Sequence, residues 1–320
     1  MKDIQLGLCC LNTELRDRKP TIFASRSCTM KTLYTKGISY ANSLSLQNLD
    51  DVIKMIEWNE SKGIKVFRLS SDIFPHFSNP KTERYTLDFA KEKLIKIGKL
   101  AKKYNMRLTF HPGQYNVIGT PKEDVLRHTY LDLSCHAQIL DMMECDQNSV
   151  MVIHGGGFYG NKAATKERWI LNYKNAPENV RNRLVLENCE KCFNIEDCLY
   201  ISKRCGVPVV FDTHHYDCYN KLRPNEHLKP ASHYMEDIIN SWIRRNIKPK
   251  FHISEQGCGR IGHHSDLIED IPSYLLEIPK KYGIPIDIMI EAKLKEQAIF
   301  KLYNKYPELD TRNINNTNID

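Results

Sequence analysis

The sequence predicts a single-domain α/β protein built as a (β/α)8 barrel, also called a TIM barrel. Eight short runs of apolar and β-branched residues are each followed by a segment that carries helix signals. These runs begin roughly every 25 to 60 residues, which leaves room for the crossover that parallel strands need. Eight such units within about 290 residues match the size of this barrel. An open, doubly wound sheet is the alternative, but no glycine-rich phosphate turn follows the first run.

Most of the eight predicted strands are apolar along their whole length, as expected for parallel strands that are buried on both faces. They are Ile4–Cys10, Ile64–Leu69, Met106–Phe110, Val150–Ile153, Leu184–Leu186, Val207–Phe211, Lys250–Ile253 and Ile286–Ile290.

Helix signals lie between these strands. Apolar residues recur at helical spacing on one face of residues 49–56. Thr120–Glu123 predicts a helix start with Thr120 as the N-cap, and Asn194 is a second predicted N-cap. We expect the barrel to span residues 1–305 and the polar segment 306–320 to be a disordered C-terminal tail.

The composition is that of a globular protein with a full core, with 41% hydrophobic and 27% charged residues in a chain of 320. No apolar run is long enough for a transmembrane helix, and the first residues show no secretory pattern. We therefore expect no membrane partner and an intracellular location. A net charge of +7 mildly favours a polyanionic partner.

The eleven cysteines are scattered over the chain, which indicates reduced thiols rather than a disulfide scaffold. Cys189 and Cys192 have the spacing of a zinc or redox pair. Because no second pair stands at a matching distance, we interpret them as thiols packed on the barrel.

Polar or ionisable side chains follow the predicted strands at their carboxyl ends. Six consecutive strands end in a histidine or a carboxylate, and these ends converge on one face of a barrel. One such histidine alone would be a hydrogen-bonded structural group. Burying many ionisable groups together is costly unless a cation compensates them, so the pattern predicts a metal centre. The residues at the strand ends are Asn12, Ser70, His111, His154, Glu187, Asp212 with His215, His252 and Glu291.

The mixture of imidazoles and carboxylates suits Zn, Mn or Fe, and it exceeds what one ion needs, which indicates two or three ions. Glu187 and Asp212 are the candidate bridging carboxylates. Such a cluster is suited to phosphoester hydrolysis. Lys250 precedes His252 by two residues, so both point into the barrel if the strand is extended. The alternative for Lys250 is a solvated lysine at the strand entry.

Three loops carry further candidates for binding a nucleic acid. Gln114 and Tyr115 offer an amide and an aromatic ring that could fill a gap in a duplex and stack on bases, with ordinary loop packing as the alternative. The glycine run 155–157 permits close backbone approach by a ligand or a strained turn. Arg260, in the loop 255–264, and Arg68 are candidate phosphate contacts, although a single arginine is usually a surface ion-pair partner.

Seven segments together carry a family resemblance. In chain order they are FRLSSDIFPH, TFHPGQY, VIHGGG, LVLENCE, VVFDTHH, PKFHIS and IMIEAK. Over roughly residues 4 to 300 the sequence resembles the UV damage endonuclease family of the UvdE/UvsE type. That family is similar in fold and metal arrangement to the endonuclease IV class of abasic-site nucleases.

The resemblance implies a cluster of three divalent metal ions, with Mn²⁺ expected first and Zn²⁺ or Mg²⁺ as alternatives. It implies incision of DNA immediately 5′ of cyclobutane pyrimidine dimers and 6-4 photoproducts, leaving a 3′-hydroxyl and a 5′-phosphate without ATP. The implied metal ligands are His111, His154, Glu187, Asp212, His215, His252, Glu291 and His264, with His263 as the less favoured neighbour.

The resemblance also implies roles for residues around the metals. Gln114 and Tyr115 match the pair that probes the damaged dinucleotide. Lys250 matches a lysine that can be carboxylated in the family, and Asn12 matches a polar residue near the metals. One departure is Leu8, where family members carry an aromatic residue after the glycine of the first strand. Its loss would change which photoproducts are accepted if that aromatic stacks on the lesion.

The expected partner is damaged double-stranded DNA, bound by a monomer that needs no nucleotide cofactor. Duplex distortion lowers the cost of flipping the lesion out of the helix, so recognition is expected to depend on shape. The first alternative is an abasic-site endonuclease with the same barrel and metals. The second is a metal-dependent sugar isomerase, and the third is a DNA-damage binding protein without activity.

Overall fold

The computed structural model describes residues 3–82 and 85–316, and it forms a (β/α)8 barrel. Eight parallel strands follow the order β3-β2-β1-β8-β7-β6-β5-β4. The predicted fold class is confirmed, and each strand lies within a few residues of its predicted position. The strands are β1 (Ile4–Cys9), β2 (Val66–Arg68), β3 (Arg107–Thr109), β4 (Met151–His154), β5 (Leu184–Glu187), β6 (Val209–Asp212), β7 (Lys250–Ile253) and β8 (Ile286–Ile290).

Helices occupy the connections between the strands and cover the outside of the barrel. No helix in the described residues is long and apolar enough to cross a membrane. The helices are α1 (Thr13–Asp17), α2 (Met30–Lys36), α3 (Ile38–Ser61), α4 (Lys91–Lys103), α5 (Glu123–Met142), α6 (Lys162–Asn175), α7 (Glu178–Arg183), α8 (Ile195–Cys205), α9 (Thr213–Leu222), α10 (Met235–Ile243), α11 (Ser273–Leu276), α12 (Ile278–Tyr282) and α13 (Glu296–Lys305). Short 3-10 helices cover Asp88–Ala90, Ala231–Tyr234, Pro307–Leu309 and Thr311–Asn316.

The strands are buried because helices cover their outer faces and side chains fill the inside of the barrel. Inside, Gly7 lies beside Val66 and Met289 on the two neighbouring strands. A Cβ at Gly7 would stand 3.0 Å from atoms of both side chains, so the missing side chain is what lets the three strands meet. Leu8 points the other way and is fully buried in the main core. The departure at Leu8 therefore falls on a core position and removes no side chain from the mouth of the barrel.

The barrel closes through a narrow seam between β3 and β4. Phe110, just past β3, forms an isolated parallel bridge with Met151. The Phe110 N–H donates to the Val150 carbonyl, and the Val152 N–H donates to the Phe110 carbonyl, each over 3.0 Å. In the part of the chain that the structure describes, these two bonds are the backbone link between the two edge strands.

A buried ion cluster holds the amino-terminal end of the barrel. Asp287 of β8 is 1% exposed, and its carboxylate lies 2.8 Å from Arg107 Nη1 and 2.5 Å from Lys248 Nζ. A buried carboxylate is costly unless it is paired. Here Arg107 of β3 and Lys248, in the loop before β7, pair with it. The cluster ties β3, the loop before β7 and β8 together at the end opposite the predicted metal ligands.

The two predicted helix starts have different outcomes. Asn194 caps α8 as predicted, because its side chain accepts from the Asp197 N–H at 2.9 Å and the Asp197 carboxylate accepts in return from the Asn194 N–H. Thr120 as an N-cap is wrong, since α5 begins at Glu123 after Lys122. The Thr120 hydroxyl instead accepts from the Lys122 N–H at 3.2 Å, a local turn that competes with helix capping.

The expected tail contains structure for most of its length. Leu309 is buried, and the hydroxyls of Tyr303 and Thr311 both donate to the Gly63 carbonyl, at 3.0 Å and 2.9 Å. Disorder from residue 306 is therefore wrong for the first part of the segment, because Leu309 supplies an apolar anchor that the polar composition concealed. Residues 317–320 lie outside the described residues.

Candidate metal centre at the carboxyl end of the barrel

The predicted ligands come together because parallel strands deliver their carboxyl ends to one face. His154, Glu187 and Asp212 are the last residues of β4, β5 and β6. His252 lies within β7, His111 stands two residues past the end of β3, and Glu291 follows β8 directly. His215 joins them from the first turn of α9, where its N–H donates to the Asp212 carboxylate at 2.7 Å.

Glu187 is the centre of this cluster, and its side chain is 1% exposed. One carboxylate oxygen, Oε2, lies 2.9 Å from His111 Nε2 and 3.0 Å from His154 Nε2. The other, Oε1, lies 2.6 Å from His252 Nδ1. A single buried carboxylate thus contacts imidazoles from three other strand ends, which is the position of a bridging group.

The potential ligand atoms fall into three overlapping groups. These groups are His111, Glu187 and His252; His154, Glu187 and His215; and Asp212, His252 and Glu291. Within each group the ligand atoms lie within 4.8 Å of one another. Glu187 belongs to two groups and His252 to two, so the groups form one continuous cluster of seven residues.

The side chains fit a divalent cation because of an orphaned carboxylate oxygen and the chemistry of the donor set. Asp212 Oδ2 is buried without a hydrogen-bond partner. Buried polar atoms are almost always hydrogen-bonded, so unpaired lone pairs in a carboxylate and imidazole cluster indicate the place of an ion. The donor set of nitrogen and oxygen suits Zn, Mn or Fe.

The electrostatics of the cluster support the same interpretation. Burial would raise the pKa of Glu187, but the nearby His252 and His154 hold it well below its usual range. Burial raises the pKa of Asp212 to about 7 despite the opposing charge of His215. Asp212 therefore lacks enough positive charge around it in the protein alone, and a bound cation would supply that charge.

Lys250 lies inside the barrel, as the extended strand predicts. It is fully buried, and its Nζ contacts His252 Nε2. Burial, reinforced by the charge of Arg68, lowers the pKa of Lys250 to about 8. The alternative of a solvated lysine at the strand entry is wrong, because the side chain fills the barrel beneath the cluster.

Three other predicted site residues have partners within the protein. Arg68 lies at the mouth, where Nη1 lies 2.5 Å from the Glu291 carboxylate and Nε donates to Cys10 Sγ at 3.3 Å. Ser70 is buried and accepts from the Asp72 N–H. Asn12 caps α1 by accepting from the Leu15 N–H at 2.8 Å, while its buried Nδ2 has no partner. None of the three is an exposed surface contact.

The loop 255–264 places its two histidines differently. His264 is partly buried, with its ring centroid 5.7 Å from that of His214, and belongs to none of the three ligand groups found in the described residues. Burial lowers the pKa of His264, and Glu291 opposes that effect, so the imidazole lies within electrostatic reach of the cluster. His263 and Arg260 are exposed.

Gln114 and Tyr115 form an exposed turn directly after His111, here called the probe turn. The Tyr115 side chain is 67% exposed. A Cβ at Gly113 would stand 2.5 Å from the Tyr115 ring, so glycine is required there for this ring position. The ring thus packs on Gly113 and, with the Gln114 amide, remains exposed to solvent.

Sequence reasoning missed the residues that brace this turn. Asn116 is buried, and its Nδ2 donates to the Gly113 carbonyl at 3.0 Å and to the Asp132 carboxylate at 2.7 Å. Asp132 comes from α5, where polar side chains at Thr129, Asp132 and His136 are buried at helical spacing. These polar residues at helical spacing on a buried helix face are the pattern from which the brace could have been predicted.

The glycine run after His154 is explained by packing. A Cβ at Gly155 would stand 2.7 Å from the Phe193 ring, and Gly156 has a φ of 83°. Beyond it, Phe158 and Tyr159 are 37% and 45% exposed, and Tyr159 has a φ of 49°. This loop therefore brings two more aromatic rings to the surface next to a metal-cluster strand.

Comparisons with known proteins agree on one family. The family model described as UV-endonuclease UvdE matches residues 4–319. A protein of Acanthamoeba polyphaga mimivirus, provisionally named a UV-damage endonuclease, is 40% identical over 313 residues, covering 96% of this chain and 93% of that protein. The UV-damage endonuclease of Schizosaccharomyces pombe is 38% identical over 315 residues, covering 94% of this chain and 50% of its own length. The chain thus spans half the length of this fungal relative.

Solved structures give the same result at the level of the fold. The crystal structure of SacUVDE matches with a TM-score of 0.82 and 28% identity, covering 96% of this chain and all of that one. Endonuclease IV of Thermus thermophilus matches with a TM-score of 0.55 and 15% identity, covering 95% of this chain and 98% of that chain. The D-psicose 3-epimerase of Clostridium cellulolyticum matches with a TM-score of 0.53 and 12% identity, covering 97% of this chain and all of that chain. The last two share the barrel fold with this chain.

Proposed function

The chain belongs to the UV-endonuclease family of the UvdE type, and from this premise we propose that it incises damaged DNA immediately 5′ of UV photoproducts. The observation that carries the proposal is the exposed probe turn that follows His111, whose imidazole contacts Glu187 in the cluster. A nuclease that acts on damaged DNA needs both a site that cuts the backbone and a group that detects the lesion. The products would be a 3′-hydroxyl and a 5′-phosphate.

Seven residues of the cluster would hold the ions, with His264 as an eighth ligand. We propose three divalent ions, with Mn²⁺ expected first and Zn²⁺ or Mg²⁺ as alternatives. When bound, such ions supply an activated water and neutralise the leaving oxygen of a phosphodiester. Glu187, Asp212 and Glu291 provide the negative charge that holds them, and burial keeps competing water away.

Lys250 and Asn12 would act beside the ions, Lys250 on the ligand His252 and Asn12 on the substrate. Lys250 Nζ contacts His252 Nε2, and this contact fixes the ring with Nδ1 toward Glu187. The unpaired Nδ2 of Asn12 is a buried donor at the end of β1 and is suited to bind a phosphate oxygen. Arg68 and Ser70 line the mouth beside these groups, and the exposed Arg260 would contact the backbone further out.

The probe turn would recognise the lesion through the shape of the duplex. A photoproduct weakens stacking, so flipping it out of the helix costs less than flipping normal bases. Tyr115 and Gln114 would fill the vacated space, where the ring stacks and the amide bonds with the orphaned bases. The substrate is therefore damaged double-stranded DNA, bound by a monomer that needs no nucleotide cofactor and acts where that DNA is.

An incision assay on two matched duplexes tests this function. One duplex carries a thymine dimer and the other an abasic site in the same sequence, and each is incubated with Mn²⁺, Zn²⁺ or Mg²⁺. We expect cutting 5′ of the dimer and loss of cutting with a chelator. Cutting of the abasic duplex alone would identify an abasic-site endonuclease instead. Binding of both duplexes without cutting in any metal would identify a damage-binding protein without activity, and neither binding nor cutting would favour the isomerase.

A further inference from the structure

The segment Cys189-Glu190-Lys191-Cys192 lies just after β5 and has no role in the proposed metal centre. Cys189 stands two residues beyond Glu187, and both cysteines are free thiols. No cysteine joins the ligand groups found among residues 3–82 and 85–316. A zinc site is thus not what holds the pair, and the redox interpretation of the spacing remains.

The backbone holds the two cysteines together in a closed turn. The Cys189 N–H donates to the Phe193 carbonyl at 2.9 Å. In return, Cys189 Sγ accepts from the N–H of Cys192 at 3.3 Å and from the N–H of Phe193 at 3.2 Å. The Cys189 sulfur is therefore held against the backbone of Cys192 on a fixed turn, and this closeness is what a disulfide between the two residues requires.

The two thiols differ in exposure and acidity. Cys189 is 6% exposed, whereas Cys192 is only partly buried. The Cys189 thiol beside it lowers the pKa of Cys192 to about 6. Cys192 is therefore the more exposed and the more reactive sulfur at neutral pH, and the buried Cys189 lies next to it as the resolving thiol.

We propose that Cys189 and Cys192 form a redox-active dithiol that hydroperoxides oxidise to a disulfide. The Cys192 thiolate attacks the peroxide and breaks the O–O bond, which gives a sulfenic acid and releases hydroxide or an alkoxide. Cys189 then attacks the Cys192 sulfur, the S–O bond breaks and the S–S bond forms. The proton of Cys189 leaves with the hydroxyl group as water. The two thiols supply the two electrons, and an external thiol reverses the step.

The test uses the full-length protein and does not depend on DNA incision. The reduced protein receives one equivalent of hydrogen peroxide, free thiols are alkylated, and digested peptides are analysed by mass spectrometry. We expect a disulfide between Cys189 and Cys192 that dithiothreitol removes. The exposed Cys258 is the internal control and should remain alkylated. Recovery of both Cys189 and Cys192 as alkylated thiols, with oxidation at Cys258, would overturn the proposal.

Two variants separate the roles of the sulfurs. Cys189→Ser should leave a sulfenic acid on Cys192 that dimedone traps, and Cys192→Ser should show neither product. Labelling of Cys192 by iodoacetamide at pH 7 should be on the order of tenfold faster than that of Cys258. Equal labelling rates would contradict the assigned nucleophile, even if one of the variants did not fold.

Discussion

Glu187 shows how much a single residue contributes at this site. Its carboxylate contacts three imidazoles and is almost completely buried, so both oxygens are directed into the cluster. A neutral amide of the same shape would keep the packing and lose the charge. Asp212 and Glu291 belong only to the ligand group that contains His252. Neither can therefore take the place of Glu187 in the two groups that it joins.

Glu187→Gln is expected to lose bound metal and incision together, each by about 10–100-fold, as when a group that supports a metal centre is changed. Elemental analysis and the dimer incision assay measure the two effects on one preparation. Glu178→Gln, in the helix α7 away from the cluster, is the matched control. Full activity with a normal metal content would show that Glu187 is not a bridging ligand.

Tyr115→Ala is expected to weaken binding of dimer-containing duplex by about 1–3 kcal/mol, the usual contribution of one aromatic ring stacked on a base. Bound metal should not change, because the ring does not contact the cluster. Fluorescence anisotropy with damaged and undamaged duplexes measures the difference. Tyr115→Phe keeps the ring and should retain most of the affinity. A parallel loss of metal in Tyr115→Ala would mean that the residue is structural.

At the scale of elements, the probe turn depends on the helix that follows it. Asn116 joins the Gly113 carbonyl to Asp132 of α5, so the turn is held by a buried polar contact instead of by apolar packing. Loss of this amide would leave the Asp132 carboxylate with fewer donors in a buried position. Buried carboxylates without partners are destabilising.

Asn116→Ala should lower the free energy of unfolding by about 1–3 kcal/mol and reduce the preference for damaged over undamaged DNA. Urea unfolding and competition binding measure these two effects. Asn148→Ala is the matched control, because Asn148 accepts from the Lys248 N–H at 2.8 Å at the opposite end of the barrel. The control should lose stability and keep the preference. An unchanged preference in Asn116→Ala would separate the brace from lesion recognition.

Periodicity and residue type were sufficient to predict the strands, because burial on both faces leaves an apolar run in the sequence. They also predicted that seven potential ligand side chains come together, because parallel strands bring their carboxyl ends together whatever the details of packing. The start of α5 was not predictable in this way, since a turn at Thr120 and a helix cap there use the same side chain. The ion pair of Arg68 was likewise not predictable, because only the barrel geometry shows that Glu291 faces it.

The whole molecule is held at its two ends by opposite means. At the amino-terminal end, Asp287 is neutralised by Arg107 and Lys248 within the protein. At the carboxyl end, the buried carboxylates have imidazoles as partners, together with Arg68, and the buried Asp212 Oδ2 has no partner. The carboxyl end is therefore the one whose stability should depend on a bound ion.

Chelation is expected to lower the Tm of the metal-loaded protein. With free Mn²⁺ at one hundred times its Kd, one site stabilises the folded state by about 2.7 kcal/mol, which corresponds to several degrees in Tm for a chain of this size. Differential scanning calorimetry with and without a chelator measures the change. Glu187→Gln should show a much smaller response. An equal shift in both proteins would place the stabilising ion elsewhere.

The seam between β3 and β4 has a consequence for how the enzyme could adapt to lesions of different shape. The strand that carries His111 and the probe turn is fastened on one side by a ladder to β2 and on the other by two backbone hydrogen bonds at Phe110. Moving this strand away from β4 therefore breaks two backbone hydrogen bonds, whereas separating two strands in the middle of the sheet breaks a whole ladder. The amide hydrogens of Phe110 and Val152 should accordingly exchange with deuterium faster than those of β8, and binding of a damaged duplex should slow them.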